Sequence, residues 1–417
     1  MQKSTSWFGF YFLVVVLYSV FSYSMTDPNL VLSSWAPYWS FQQWMWQTFF
    51  HNSQLLSITY SVLIGLMLVS WWGIVRSLKT SVKRKEVLIK CLLLCLPLFF
   101  SYNALSHDVF NYIFNAKMVV VYQDNPHVHV ALDYSTDLWT RFMHNTHTPA
   151  PYGYGWTAFS VIPYLLGMNK FVLTWFMFRG VNVLAIPVLF MLLGKLGERL
   201  RMNVSARDLA IVFLSPLFLI EIVSNSHNDL WMLVPAVAAL WLVSFVSKKE
   251  LWPRILLSLV LLSASISTKL ATITLLPLWT FGAWRLLSLY TRLFKWVPLS
   301  IRRILDAAWG LSRANLGLLA SLLMFLPLLS SRSQFFHPWY LLWSFIWFPL
   351  IGVKWWRSIL VALAISSLYR YVPWLLAGGF PESVLFQQQA VTWLGGLTAL
   401  GLHMAWNRFG RSQNKQS

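Results

Sequence analysis

Apolar runs of about 17–22 residues recur along the chain between shorter polar intervals, the length a helix needs to cross a roughly 30 Å hydrocarbon core. No segment alternates apolar and polar residues with the short strand period of a membrane barrel. The runs at residues 7–23, 55–75, 87–105, 171–193, 209–223, 230–246, 255–267, 270–287, 314–329, 339–352, 359–376 and 390–406 predict about twelve transmembrane helices in one all-α polytopic domain, residues 1–417. Residues 7–23 read as an uncleaved helix, although Ser22 and Ser24 offer the small-x-small pattern of a signal-peptide site. Residues 25–52 are aromatic with only Asp27 charged, the pattern of a segment lying on the membrane surface. Residues 156–167 are also apolar, but the run is short and holds Pro163, so it predicts an interfacial helix rather than a span.

One long polar interval interrupts this pattern. Ser106 to Gly155 carries four of the 13 acidic residues (Asp108, Asp124, Asp133, Asp137) and five of the nine histidines. With the interfacial helix that follows, residues 106–170 form the predicted active-site loop. Asp108 stands where the run 87–105 leaves the bilayer, poised to act on something presented at the membrane surface.

Composition sharpens the class. Charged residues make up 11% of the chain, against roughly 25% in soluble domains, so this is an integral membrane protein. The net charge of +19 follows the positive-inside rule better than a nucleic-acid partner: clusters such as Arg76, Lys79, Lys83, Arg84 and Lys85 fall between runs, on one side of the map. That assignment puts the 106–170 loop on the extracytoplasmic side of the cell inner membrane. Few cations remain on that side: Lys117, Arg141, Lys170, Lys269, Arg332 and Arg370. Cys91 and Cys95 sit four apart in one apolar run and imply no disulfide or metal framework. Phosphate-binding glycine motifs and Cys–His zinc patterns are absent, which argues against an ATP-driven pump.

Three constellations could carry chemistry. Asp108, between His107 and the aromatic Phe110 and Tyr112, would gain basicity from partial desolvation; the plainer reading is a solvated loop acid. Glu221 precedes S-N-S-H-N-D (Ser224–Asp229), and such a helix end is costly near lipid unless it faces a cavity or a partner. His227, Asn228 and Asp229 suit substrate binding; a metal site from His227 and Asp229 is open, but one His and one Asp are too few to assign it, so no cofactor is expected and a divalent metal stays open. Lys269, Arg332 and His337, with Tyr340, suit an anion, of which a lipid phosphate is the natural case.

The ordered set S-H-D-V-F-N-Y-I-F-N-A-K (Ser106–Lys117), Y-x-x-N-P-H (Tyr122–His127), P-Y-G-Y-G (Pro151–Gly155), S-N-S-H-N-D, S-T-K-L-A (Ser267–Ala271) and H-P-W-Y-L-L-W (His337–Trp343) resembles the GT-C membrane glycosyltransferases. The nearest likeness is to bacterial mannosyltransferases that use polyprenyl-phosphate mannose. His127 stands where those enzymes usually have Tyr, and Tyr154 where they often have Pro. The resemblance implies an inverting transfer to a glycolipid or polysaccharide acceptor, with Asp108 as catalytic base. It implies donor-phosphate contacts from Lys269, Arg332, His337 and Tyr340. Substrate contacts would come from His107, Asn111, Tyr112, Lys117, Asn125, Tyr152, His227, Asn228 and Asp229. Two other classes fit a polytopic chain: a lipid-linked glycan ligase or polymerase, and a transporter or flippase of lipid-linked sugars. A ligase would lean on His and Arg in a late outer loop, and a transporter on polar, broken helices at midplane; here the long polar loop is early and built around an acid.

Overall fold

The computed structural model describes residues 2–26, 32–244, 250–291, 293–330, 336–379 and 381–413, with side chains for those between 4 and 405. The described residues are helical and contain no strand. In chain order the helices are α1 (Gln2–Phe21), α2 (Ala36–Met45), α3 (Ser53–Ser77), α4 (Arg84–Phe99), α5 (Asp108–Lys117), α6 (Tyr154–Leu166), α7 (Phe171–Leu200), α8 (Ala206–Phe213), α9 (Pro216–Phe218), α10 (Asp229–Val243), α11 (Leu251–Thr268), α12 (Leu276–Tyr290), α13 (Leu299–Ala314), α14 (Leu316–Phe325), α15 (Leu341–Phe345), α16 (Lys354–Tyr369), α17 (Tyr371–Ala377) and α18 (Glu382–Gln413). The principal neighbours are α1 with α3, α7 with α10, α10 with α11, and α16 with α18.

Six helical segments are long and apolar enough to cross a membrane: Ser4–Met25, Ser53–Ser77, Phe171–Leu200, Leu251–Thr268, Leu270–Tyr290 and Lys354–Ala377. A seventh arises if Leu299–Ala314 and Leu316–Leu329 form one span bent by 87°. The twelve apolar runs thus do not all become full-length helices. The run 209–223 breaks at Ser215, whose hydroxyl caps α9 by accepting from Phe218 N at 3.1 Å, ahead of Pro216. Beyond α9 the turns widen into a π-helical stretch, Leu219–Ser224. The run 339–352 is cut into three short pieces, Pro338–Tyr340, Leu341–Phe345 and Phe348–Leu350. The apolar run 156–167 forms α6, 13 residues with Pro163 inside it, short of a span.

Carbonyls freed at these breaks are met by buried side chains, as a low-dielectric interior requires. Tyr11 OH donates to Leu214 O at 2.9 Å, and Trp71 Nε1 to Ala210 O at 3.3 Å. Arg179, fully buried in the first third of α7, donates to Leu98 O (2.8 Å) and Phe99 O (3.1 Å) at the end of α4. It also donates to Asn103 Oδ1 (2.7 Å) and Ser224 O (2.8 Å). One guanidinium therefore ties the segment leading to Asp108 to the segment leading to His227, and the negative end of the α4 dipole supplies its counter-charge.

The helices have two chemically different ends. Arg357 of α16 pairs with Asp208, and Arg84 of α4 with Glu198 of α7 at 2.7 Å. At the opposite end of α16 lies Arg370, and at the opposite end of α7 lies Phe171, stacked on Phe110 and tilted against Phe142 of the 106–170 loop. The loop is braced from within. Lys117 Nζ meets Asp137 at 2.5 Å and lies 4.0 Å from the Trp139 ring centre, while Tyr122 OH donates to Asp137 at 2.8 Å. Tyr134 donates to Asp124.

Candidate active site

Asp108 is the first residue of α5, and its side chain is 17% exposed at the wall of a cavity of about 580 Å³. His107, Asn111, His144, Tyr152, His337, Trp339, Tyr340, Arg370 and Tyr371 share that wall. Four segments distant in sequence meet here. α5 and the glycine-rich turn before α6 carry Asp108 and Tyr152; the short helices after residue 336 and the α16–α17 junction carry His337, Tyr340 and Arg370.

The glycine-rich turn has a steric reason. A Cβ on Gly153 would stand 1.9 Å from Ser267 O, and one on Gly155 would stand 2.1 Å from Ser267 Oγ. The turn is pressed onto the end of α11, where Gly153 N donates to Thr268 O at 3.1 Å. Tyr152, just before the turn, donates its hydroxyl to Asp108 Oδ2 at 2.6 Å. Lys269, just after Thr268, packs its ammonium 5.3 Å from the centre of the Tyr152 ring.

Behind Asp108 lies His227, fully buried and stacked on Trp339 with ring centres 3.7 Å apart. Its Nδ1 is 3.5 Å from Asp108 Oδ2 and its Nε2 is 3.3 Å from Glu221 Oε2. These are ion-pair distances without hydrogen-bond alignment. Glu221 also accepts from Tyr371 OH (3.0 Å) and Asn225 Nδ2 (2.9 Å). A second buried pair stands beside this chain: Lys269 Nζ meets Asp229 Oδ1 at 2.8 Å, and Trp343 Nε1 donates to the same oxygen.

Electrostatics follow from these neighbours. Burial pushes the Asp108 carboxyl up, but the His227 ring, the Tyr152 hydroxyl and His337 together outweigh it and hold the group well below the usual carboxylate range. Burial lowers the proton affinity of His227, yet Asp108 and Glu221 on either side raise it above the ordinary histidine value. Burial, together with the neighbouring Arg370, His227 and Lys269 and against the pull of Asp108, brings His337 down to about 4. Burial and the stacked His144 ring, 3.7 Å away, bring His107 down to about 3. Neutral His107 uses Nδ1–H on Phe142 O at 3.0 Å, which leaves Nε2 as an acceptor.

Of the residues singled out in the sequence, the cavity receives Asp108, His107, Asn111, Tyr152, His337 and Tyr340. Tyr112, His227, Asn228, Asp229 and Lys269 lie behind them, buried. Lys117 faces Asp137 and Trp139, away from the cavity, and Asn125 sits in an exposed turn beside Tyr154. Arg332 lies outside the described residues. Sequence reading did not assign a site role to Arg370, His144 or Tyr371; the signal for Arg370 was its place among the few cations on the outer side of the charge map. Among the described residues no three His, Cys, Asp or Glu side chains gather to hold a metal ion.

An acid on the wall of a pocket, next to cations and polar acceptors, is equipped to deprotonate a hydroxyl while an anionic group departs. No curated protein and no solved structure matches the chain. Residues 6–285 match the model of the MptA_B family, described as "Alpha-(1->6)-mannopyranosyltransferase, N-terminal domain". That span exceeds half of the chain and contains Asp108, Tyr152, Glu221, His227 and Lys269, so the protein belongs to this mannosyltransferase family.

Proposed function

We propose that the protein is an inverting mannosyltransferase that moves mannose from a polyprenyl-phosphate donor to a hydroxyl of a glycolipid or polysaccharide acceptor. It works on the extracytoplasmic side of the inner membrane. The observation that carries this reading is a cavity in which Asp108 shares a wall with Arg370 and His337. The acceptor hydroxyl gives its proton to Asp108 as its oxygen attacks the anomeric carbon. The bond from that carbon to the phosphate oxygen breaks, and the lipid phosphate leaves with the electron pair. Arg370 in the wall and Lys269 behind Tyr152 stabilise the departing charge. An α-(1→6) product, the linkage in the family's description, then requires a β-linked donor. Trp374 and Leu385 add an apolar flank to the cavity, suited to the isoprenoid chain.

The test is transfer from radiolabelled polyprenyl-phosphate mannose in membranes carrying the protein, with GDP-mannose as the comparison donor. Label entering a glycolipid or glycan from the lipid donor alone is the expected result. Transfer from the nucleotide donor, with lipid-phosphate synthesis blocked, would sink the donor assignment.

Tyr152→Phe removes a hydrogen bond to an ionised carboxylate, an interaction worth about 1.5–3 kcal/mol. The expected outcome is a fall in kcat of roughly tenfold or more with KM nearly unchanged, read by steady-state kinetics.

A further inference from the structure

We infer that His227 is a cationic positioning residue, held between Asp108 and Glu221, that occupies one oxygen of the base and leaves the other to take the acceptor's proton. The inference rests on the transferase reading and deepens it.

Geometry carries the argument. Asp108 Oδ2 is taken twice, by Tyr152 OH at 2.6 Å and by His227 Nδ1 at 3.5 Å. Among the described residues Oδ1 accepts no hydrogen bond, and Asp108 lines the cavity. The imidazole has a carboxylate oxygen opposite each nitrogen, at 3.5 and 3.3 Å. A neutral imidazole carries one N–H and would turn a lone pair toward one of those anions. The protonated ring serves both, in a position where His227 and Glu221 are each 0% exposed. The ring cannot swing away: Trp339 stacks on it, His227 N donates to Glu221 O at 3.1 Å, and Asn182 donates to His227 O at 3.1 Å.

The groups facing this chain come from every side. Tyr18 of α1, Tyr60 of α3 and Tyr371 of α17 surround Glu221. His337, Arg370, Lys269 and Tyr340 approach from the cavity side, His107, His144 and Tyr112 flank Asp108 from the loop, and the one further acid among the described residues here, Asp229, is engaged by Lys269. None of these groups can replace Glu221 beside the ring. Its carboxylate keeps the proton on His227, and the cation in turn keeps buried Asp108 ionised.

The sign of the effect follows. In the wild type Asp108 lies below the ordinary carboxylate range, so its ionised form, and with it kcat, persists into mildly acidic solution. Glu221→Gln removes one of the two anions that hold the His227 proton. The ring then loses that proton at lower pH, burial dominates at Asp108, and the acidic limb of kcat moves upward. The expected result in Glu221→Gln is an acidic limb displaced upward by about one pH unit, a loss that approaches tenfold below both limbs and vanishes toward neutral pH. Glu221→Asp should return most of the limb toward its original place. A purely structural Glu221 would instead lower the amount of folded enzyme or the rate by the same factor at all pH.

The experiment is the pH profile of kcat for wild type, Glu221→Gln, Glu221→Asp and Asp108→Asn. It is paired with the ¹⁵N imidazole shifts of the wild type in detergent, with His227 assigned through His227→Gln. A displaced limb in Glu221→Gln and an imidazolium shift for His227 at pH 7 are expected. A neutral His227, or a Glu221→Gln limb that coincides with wild type, overturns the inference while leaving Asp108 as base. Activity surviving in Asp108→Asn overturns the assignment of the base itself. Absence of transfer by the wild type from any lipid-phosphate sugar overturns the lipid-phosphate donor reading on which this inference rests. Should Glu221→Gln fail to accumulate, the wild-type ¹⁵N shift decides alone.

Discussion

Asp108→Asn is expected to lower mannosyl transfer by about a thousandfold, the middle of the range for general-base catalysis. The substitution keeps size and shape, so the amide oxygen can still accept from Tyr152, and the α5 backbone is unaffected. What disappears is the oxygen that can hold a proton. The amide is also neutral, so His227 loses one of its two anionic neighbours and its proton affinity falls. Donor binding should change little, because the cations lie elsewhere on the wall. Transfer kinetics at equal expression, alongside binding of labelled donor, separate the two effects. Loss of donor binding together with activity would argue that Asp108 shapes the pocket and does no chemistry.

Lys269→Met is expected to fail in stability as well as activity. Lys269 and Asp229 are a buried pair, with side chains 9% and 0% exposed, joined at 2.8 Å. Removing the ammonium leaves Asp229 buried and held, among the described residues, only by Trp343, at a cost of about 3–5 kcal/mol. A thermal-stability measurement in detergent should therefore show a large fall. Adding Asp229→Asn removes the stranded carboxyl, so the double variant should regain most of the stability. It should not regain transfer if the ammonium also serves the leaving phosphate. Full recovery of activity in the double variant would confine Lys269 to a structural role.

Much of this architecture is legible in the sequence, and the parts that are not have physical reasons. The apolar runs become helical, though only six or seven segments are long enough to span a membrane, and the helix end at Glu221 with S-N-S-H-N-D is buried against partners, as the expense of charge near lipid demands. Within the loop, Asn111 and Tyr112 lie three and four residues after Asp108, one helical turn on, and stay on its side of α5. Lys117 lies nine residues on, about 180° around the helix, which is why its charge goes to Asp137 rather than to the cavity. That angle could have been read from the sequence once α5 was recognised as helix instead of loop. The broken helices are harder to see. Hydropathy treats 209–223 as one run, while Ser215 and Pro216 end one helix and begin another. Hardest of all is convergence: nothing local in the sequence around Arg370 says that it meets Asp108 at one cavity wall.

The joint between Gly153 and Thr268 has a mechanical consequence. Tyr152, which holds Asp108, and Lys269, which stands by the proposed phosphate subsite, are adjacent in sequence to the two ends of one backbone hydrogen bond. The close fit of Gly153 against Ser267 leaves no slack between them. Under the proposed reading, a donor that draws on Lys269 draws on the same joint that aims the Tyr152 hydroxyl at Asp108. The two substrates are then not independent visitors. The seat proposed for the donor and the hydroxyl that holds Asp108 share one support, so a disturbance at either is felt at both through a single turn of chain.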